Sequence, residues 1–331
     1  MMGADVSAQT VADSPTKEIK NGILSAKLYL PDAAKSFYRG TRFDWSGVIV
    51  ELEYKGHSYY GPWFTRTDPN VRDFVYDGPD IVAGPCSAMT GPAEEFSNNG
   101  SALGFEAAKP GGTFVKIGVG VLRKPDEAKY SAYHLYEIVD HGKWRVQVKP
   151  DSLTFIQEVR DPVSGYGYIY RKTVRLVAGK PEMLLEHSLQ NVGSKPIESS
   201  VYDHNFLVLD KQATGPDFAI TLPFAIKVSD TLDEKLAAVN GNQILFQKVL
   251  TGEDRVFTTV GGFTSSADDY KIQIENKKLK AGVRVQGNRP LAREALWSIR
   301  SVISVEPFID MSIPPGSEFS WEYRYEYYVV P

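Results

Sequence analysis

The chain has 331 residues, of which 42% are hydrophobic and 24% are charged, so it can bury a large core in one large domain or two smaller ones. Its formal net charge of −4 argues against a surface that binds nucleic acid or anionic membranes, because phosphate binding needs a basic field, and it is compatible with a neutral, polyhydroxylated ligand. The single cysteine, Cys86, excludes an intramolecular disulfide and a cysteine-based zinc site, and we interpret it as a small buried hydrophobe rather than a nucleophile.

The first 20 residues lack the apolar centre of a secretion signal, and no apolar run is long enough to span a bilayer. Residues 2–7 loosely fit a myristoylation pattern, although an initiator methionine already precedes them. We predict that residues 1–20 form a flexible lead, of the kind that remains after a signal is removed. The compartment therefore stays open between the cytoplasm and, after such removal, the periplasm or the exterior.

Alternation of apolar and polar residues predicts β-strands along most of the chain. The clearest runs are 48–54, 114–122, 144–148, 153–159, 166–177, 183–189, 270–274, 298–305 and 319–330. Glycine-containing turns separate them, and only residues 232–239 predict a short helix, which ends at Asn240-Gly241. Many strands with tight turns and little helix indicate an all-β sandwich or barrel. We find no linker within residues 21–331, which we predict to be a single domain.

Residues 61–112 differ from the rest because they are rich in Pro, Gly, Asp and Asn. A long irregular segment in a compact domain is usually functional or disordered. The aromatic and acidic side chains of this segment favour order and a place at a cleft.

Motifs for nucleotide, zinc and serine-hydrolase chemistry are missing from the sequence. Gly118 and Gly120 lie in a predicted strand, where they favour close packing rather than phosphate binding. The five histidines show no metal-ligand spacing. We therefore predict neither a metal nor a cofactor.

Two polar residues on predicted strands, His204 and Glu306, could form an acid–base pair. Alternation places His204 on one face with Tyr202 and Phe206, and it places Glu306 on one face with Ser304. The two side chains converge if both faces look into the same concave surface. From these residues alone, a satisfied buried histidine is the favoured interpretation, because a single histidine in a strand is more often structural than catalytic.

The other histidines point less clearly to function. His187 shares a face with Leu185 and Leu189, which indicates a structural role. His141 lies in a turn, where we expect it to be solvated, and His134 could lie at a ligand.

Further polar residues are candidates for holding a ligand. Arg42, Asp44 and Trp45 are close in sequence, and they could bind a sugar or instead form a structural ion pair beside a core tryptophan. Glu94 and Glu95 could bind hydroxyls, bind a cation or lie in solvent. The candidate substrate-binding residues are Arg42, Asp44, Trp45, Glu94, Glu95, Lys116, His134, Tyr202 and Asn205.

Several segments resemble, in the same order, the galactose mutarotase-like superfamily, which includes the aldose 1-epimerases and relatives that act on hexose phosphates. They are residues 39–47, 94–96, 116–120, 186–193, 202–206, 306–307 and 315–321, and the resemblance covers roughly residues 21–331. It implies a large antiparallel β-supersandwich that binds a sugar on a concave sheet. It also implies that His204 acts as acid and Glu306 as base, opening and closing the sugar ring without a cofactor.

The chain departs from the family pattern in two places. Many aldose 1-epimerases carry a further histidine upstream, near an Asn-Arg segment, and this sequence has no clear counterpart. In those enzymes an acidic residue contacts the sugar hydroxyls. In this sequence, Asp230 and Asp254 are the only candidates for that residue. We therefore predict a divergent member, whose substrate need not be a free hexose.

Three functions remain open from the sequence. The first is a mutarotase or epimerase acting on a small sugar or a glycan end. The second is a non-catalytic carbohydrate-binding or sensing protein, and the third is an enzyme related to glycan lyases or hydrolases. The oligomeric state is unknown.

Overall fold

The computed structural model describes residues 14–126, 129–229 and 231–330. None of these residues lies in an α-helix, and two short 3-10 turns cover Leu209–Lys211 and Ala267–Asp269. The strands in chain order are β1 (Thr16–Lys20), β2 (Ser25–Tyr29), β3 (Ile49–Tyr54), β4 (His57–Ser58), β5 (Arg66–Thr67), β6 (Phe74–Asp77), β7 (Asp80–Ala83), β8 (Gly91–Ser97), β9 (Thr113–Lys116), β10 (Gly120–Arg123), β11 (Ile138–Asp140), β12 (Lys143–Val148), β13 (Ser152–Asp161), β14 (Tyr166–Leu176), β15 (Glu182–Asn191), β16 (Ile197–Phe206), β17 (Phe218–Thr221), β18 (Lys227–Val228), β19 (Ala237–Asn240), β20 (Gln243–Phe246), β21 (Arg255–Gly261), β22 (Lys271–Asn276), β23 (Ala281–Gly287), β24 (Arg293–Ile299), β25 (Val302–Ile313) and β26 (Glu318–Val329).

Two large antiparallel sheets dominate the fold. One has ten strands in the order β12-β13-β14-β15-β26-β23-β22-β17-β20-β19, and the other has six in the order β18-β21-β24-β25-β16-β8. Alternate residues of each sheet, such as Leu185, Tyr323, Val201 and Val305, meet in one buried core. This arrangement confirms the predicted all-β sandwich, because period-two burial on both sheets is what face-to-face packing requires.

Strand β1 shows that the ordered chain begins before residue 21. It pairs in register with β2, from Thr16 opposite Tyr29 to Lys20 opposite Ser25, and Ile19 is fully buried. The boundary that we expected at residue 20 is therefore too late, because one buried isoleucine and a strand partner hold this segment in a sheet. Residues 1–13 lie outside the described residues.

The predicted helix over residues 232–239 is wrong. A single turn closes where the Leu236 and Ala237 amides donate to the Asp233 carbonyl, and the chain then enters β19. Strand β19 pairs with β20 across the Asn240-Gly241 turn, and Ala237 is buried in the core. Pairing with a neighbouring strand outweighs a weak local helical pattern.

Two predicted strands are in fact hairpins. Residues 114–122 form β9 and β10 around a turn in which Gly118 has φ 79°. A Cβ at Gly118 would lie 2.7 Å from the Asp44 side chain, so this glycine allows a positive φ and a close approach. Residues 298–305 likewise contain a turn between β24 and β25.

The irregular segment over residues 61–112 is ordered and contains β5 to β8. Within the described ranges, no helix is long and apolar enough to cross a membrane.

Candidate active site

Strands β16 and β25 lie side by side in the six-stranded sheet, with Val201 opposite Ile309 and Tyr202 opposite Phe308. Because side chains alternate along a strand, Tyr202 and His204 project from one face of β16, and Glu306 projects from the same face of β25. That face forms the floor of a cleft.

His204 and Glu306 meet at the floor of the cleft. Nε2 of His204 lies 3.1 Å from Oε1 of Glu306, and the two side chains are 6% and 11% exposed. The other ring nitrogen, Nδ1, is hydrogen-bonded to Oγ of Ser304 at 2.6 Å. The imidazole also stacks on Phe206 with ring centroids 3.7 Å apart, and it makes a T-shaped contact with Trp297 with ring centroids 5.4 Å apart. Packing and one hydrogen bond therefore fix the ring so that Nε2 faces the carboxyl group.

The protonation of this pair follows from its burial. Burial lowers the pKa of His204 well below 6.5, and the positive charge of Arg42 lowers it further. Burial raises the pKa of Glu306 to about 7, against the opposing effect of Arg42. Near neutral pH the imidazole is therefore neutral, and the carboxyl group is about half protonated. Below about pH 7 the pair therefore holds one proton, which lies mainly on Glu306, and above about pH 7 it loses that proton.

Arg42 is held beside this pair by a network of buried polar groups. Its Nε donates to Glu95 at 2.6 Å, and its Nη2 donates to the hydroxyl of Tyr202 at 2.8 Å. Tyr202 in turn donates to Glu95 at 2.6 Å, and Lys116 lies 3.5 Å from the same carboxylate. Burial opposes the charge on Glu95, but Arg42 and Lys116 hold its pKa below the usual range. The network presents a fixed guanidinium to the cleft.

The cleft is small, with a volume of about 100 Å³, and it opens to solvent. Its lining combines hydrogen-bonding side chains with aromatic rings. The lining residues are Arg42, Trp63, Asp73, Phe74, Ser87, Tyr133, His204, Phe206, Phe257, Trp297 and Glu306. Such a surface can bind both the hydroxyls and the apolar faces of a polyhydroxylated ring.

Two of the predicted ligand-binding acids lie in the core instead of the cleft. Glu94 accepts from Lys172 and lies 2.7 Å from Nε2 of His187, and all three side chains are fully buried. Asp44 accepts from Tyr170 at 3.1 Å and lies 3.7 Å from the ammonium group of Lys172. For Asp44 these contacts fit the structural alternative, whereas for Glu94 they match none of the three alternatives that the sequence left open. The buried carboxyl groups have Lys172 as a partner of opposite charge.

Trp45 and Asn205 are also structural. Nε1 of Trp45 donates to the Gly40 carbonyl at 2.8 Å, and the side chain is buried. Asn205 lies on the face of β16 opposite His204, where it accepts from the hydroxyl of Tyr325 at 2.7 Å and donates to the Val305 carbonyl.

The remaining predicted ligand-binding residues lie near the cleft without lining it. Glu95, Tyr202 and Lys116 belong to the network of buried polar groups that holds Arg42. His134 packs its ring 4.5 Å from Tyr136, and its sequence neighbour Tyr133 is the residue that reaches the cleft.

Sequence reasoning missed several residues of the cleft. Asp73 and Ser87 come from the irregular segment, and Oγ of Ser87 donates to Asp73 at 2.6 Å. Asp73 places a carboxyl group at the cleft, whereas Asp254 pairs with Lys248 at 2.8 Å and does not line the cleft. Asp230 lies outside the described residues.

In the part of the chain that the structure describes, no group of three or more His, Cys, Asp or Glu side chains is arranged to hold a metal ion.

Comparison with known proteins gives matches in fold. No protein-family model and no curated protein sequence matches the chain. A galactose mutarotase-related enzyme from Lactobacillus acidophilus is 12% identical, with a TM-score of 0.53 over 95% of this chain and 97% of that one. A GalM/aldose epimerase homologue from C. elegans is 14% identical, with a TM-score of 0.53 over 96% and 100% of the two chains. A galactose mutarotase-like protein from Lactobacillus casei is 12% identical, with a TM-score of 0.53 over 95% and 100%. At these identities the likeness shows the fold alone, and the chain has the galactose mutarotase-like fold that the sequence predicts.

Proposed function

We propose that the protein is a sugar mutarotase or epimerase that acts at the anomeric carbon. The observation that carries this proposal is the contact between His204 and Glu306, 3.1 Å apart at the floor of a cleft with hydrogen-bonding and aromatic walls. The two oxygens that exchange protons in a cyclic hemiacetal are bonded to the same carbon. An acid and a base that serve both oxygens must therefore be close neighbours.

The reaction can proceed by moving protons between the sugar and this pair. The Glu306 carboxylate takes the proton of the anomeric hydroxyl while the His204 imidazolium gives a proton to the ring oxygen. The bond between the anomeric carbon and the ring oxygen breaks, its electron pair goes to that oxygen, and a carbonyl forms. After the carbonyl turns, the same transfers run backwards and the ring closes as the other anomer.

The protonation of the pair suits this scheme. Imidazolium with carboxylate and neutral imidazole with carboxylic acid carry the same single proton, so ring opening converts one form into the other. The shifted pKa values of His204 and Glu306 favour the one-proton level near neutral pH. Throughout, Nδ1 of His204 can keep its proton and donate it to Ser304, which leaves Nε2 as the exchanging atom.

Substrate hydroxyls have two clear partners besides the pair. The guanidinium of Arg42 can donate to them, and the carboxylate of Asp73 can accept from them. Trp297 beside His204 gives the ring carbons an apolar neighbour.

Anomer interconversion measured by polarimetry and exchange NMR over a panel of aldoses tests the proposal. Loss of a general acid or base costs about 10²- to 10⁴-fold in rate, so Glu306→Gln and His204→Ala should each lose that much while circular dichroism shows a native fold. The exposed Glu318→Gln removes the same charge away from the cleft and should match the wild type.

Wild-type rates in both site variants would refute the proposal. Saturable sugar binding without acceleration would instead make the protein a carbohydrate-binding module, which the aromatic lining of the cleft also suits. Release of products from oligosaccharides, detected by chromatography, would favour an enzyme related to glycan lyases or hydrolases.

A further inference from the structure

Two aromatic side chains stand out by their exposure. Of all the aromatic residues that the structure describes, only Tyr133 and Phe257 are exposed, at 38% and 41%, and both line the cleft. Single exposed apolar residues are ordinary on protein surfaces. Here, however, the chain has 16 Phe, 18 Tyr and 5 Trp, and the two most exposed aromatic rings of its described part are at the same cleft. This placement points to a ligand that covers them.

Phe257 lies at the outer end of a row that crosses the sheet. On β24, Trp297 is the cross-strand partner of Ser304 on β25, and Phe257 on β21 is the next partner in the same row. Neighbouring strands are about 5 Å apart, so Phe257 lies about 10 Å from the strand that carries Ser304 and Glu306. A single sugar ring bound at His204 reaches Trp297 but does not extend to Phe257. Phe257 is therefore free to contact the next group of a longer substrate.

Tyr133 lies at the cleft on a fixed support. Its ring covers the guanidinium of Arg42, which lies 4.8 Å from the ring centroid. Arg42 is itself held by Glu95 and Tyr202. The two exposed rings are therefore firmly placed, one by a charged network and one by a β-strand.

We propose that the cleft takes the reducing-end residue of a di- or oligosaccharide, and that Phe257 stacks on the sugar ring next to it. This inference rests on the proposed function, because ring opening requires a free anomeric carbon at His204 and Glu306. The rest of the saccharide must then extend away from His204 and Glu306. The row through Trp297 and Phe257 offers it flat apolar surface, which suits the C–H face of a pyranose.

Mutarotation rates and binding of matched sugar pairs test the inference. The pairs are glucose with cellobiose, galactose with β-1,4-galactobiose, and N-acetylglucosamine with chitobiose. An aromatic stack contributes roughly three- to tenfold in kcat/KM, so the disaccharide of a pair that is accepted should exceed its monosaccharide by that factor. Phe257→Ala should remove the gain of the disaccharide and lower the monosaccharide rate less than the disaccharide rate. Val139→Ala, which truncates an equally exposed side chain outside the cleft, is the control.

The outcomes separate this inference from the proposed function. Equal rates for the two sugars of every pair, or an equal loss on all sugars in Phe257→Ala, would overturn the inference and leave the mutarotase proposal standing. If a disaccharide binds more tightly than its monosaccharide without faster mutarotation, and Phe257→Ala abolishes the difference, the subsite is supported and the activity is refuted. No binding and no acceleration with any pair would overturn both.

Discussion

Replacing Glu306 by glutamine should change the free energy of unfolding relative to the wild type in a pH-dependent way. The difference should shift in favour of the variant as the pH rises. The folded-state pKa of Glu306 is raised from 4.5 to about 7 because burial disfavours the carboxylate. The folded protein therefore binds this proton more tightly than the unfolded chain does. Stability from the group is fully present below about pH 4.5, and it is lost as the pH rises through about 7. A neutral glutamine has no such loss.

The size of the effect follows from the two pKa values. Each pH unit between them corresponds to 1.36 kcal/mol, so a rise from 4.5 to about 7 corresponds to about 3 kcal/mol. Most of this change in the free energy of unfolding occurs between pH 5 and pH 8. The difference in the free energy of unfolding between Glu306→Gln and the wild type should thus change by about 2 to 3 kcal/mol over that range, in favour of the variant at pH 8.

Urea unfolding at half-unit steps from pH 5 to pH 8 measures this difference, since the other titrating groups are common to both proteins and cancel. Glu318→Gln loses one negative charge at an exposed position and controls for the change in net charge. If the curves of Glu306→Gln and the wild type run parallel, or diverge with the opposite sign, burial does not hold the proton on Glu306. The one-proton description of the pair then fails.

Two further predictions concern the same site, and a third concerns the core behind it. The mutarotation rate should fall about tenfold for each pH unit above about 7, because the pair with His204 then loses its proton, and a rate that still rises at pH 8 would contradict this. Ser304→Ala should lower kcat roughly tenfold with little change in KM and shift the tautomer of His204 seen by nitrogen-15 NMR, whereas an unchanged tautomer would remove Ser304 from the mechanism. Tyr325→Phe should lower the free energy of unfolding by about 1 to 3 kcal/mol, because the hydroxyl bonds buried groups of Asp203 and Asn205; urea unfolding that matches the wild type would show that these bonds add nothing.

The regular parts of the site could be predicted from sequence, because side chains alternate along a strand. Alternation along β16 and β25 placed His204 and Glu306 on predictable faces. Their separation, and the bond to Ser304, depend on the register between two strands about a hundred residues apart, which no local pattern contains. Asp73 could not be predicted for a related reason. It lies in an irregular segment, where side chains do not alternate regularly, so the sequence does not show which way its side chain points.

Buried charge explains why Glu94 and Asp44 lie in the core and not at the cleft. Glu94 and Asp44 look like solvent-facing or ligand-facing acids until Lys172 is placed between them, and Lys172 is 78 residues from Glu94. A short sequence window cannot show that a charge has a distant partner. The helix predicted over residues 232–239 failed in the same way, because the strand that pairs with β19 decides its conformation.

Strand β16 makes specific contacts on both of its faces. His204 looks into the cleft, while Asp203 and Asn205 on either side of it are bound by Tyr325 of the facing sheet. A shift of this strand by a single residue would turn the imidazole into the core and break both bonds to Tyr325. Tyr325 therefore helps to fix the register of this strand, so the position of the His204 imidazole depends on a residue of the other sheet that does not line the cleft.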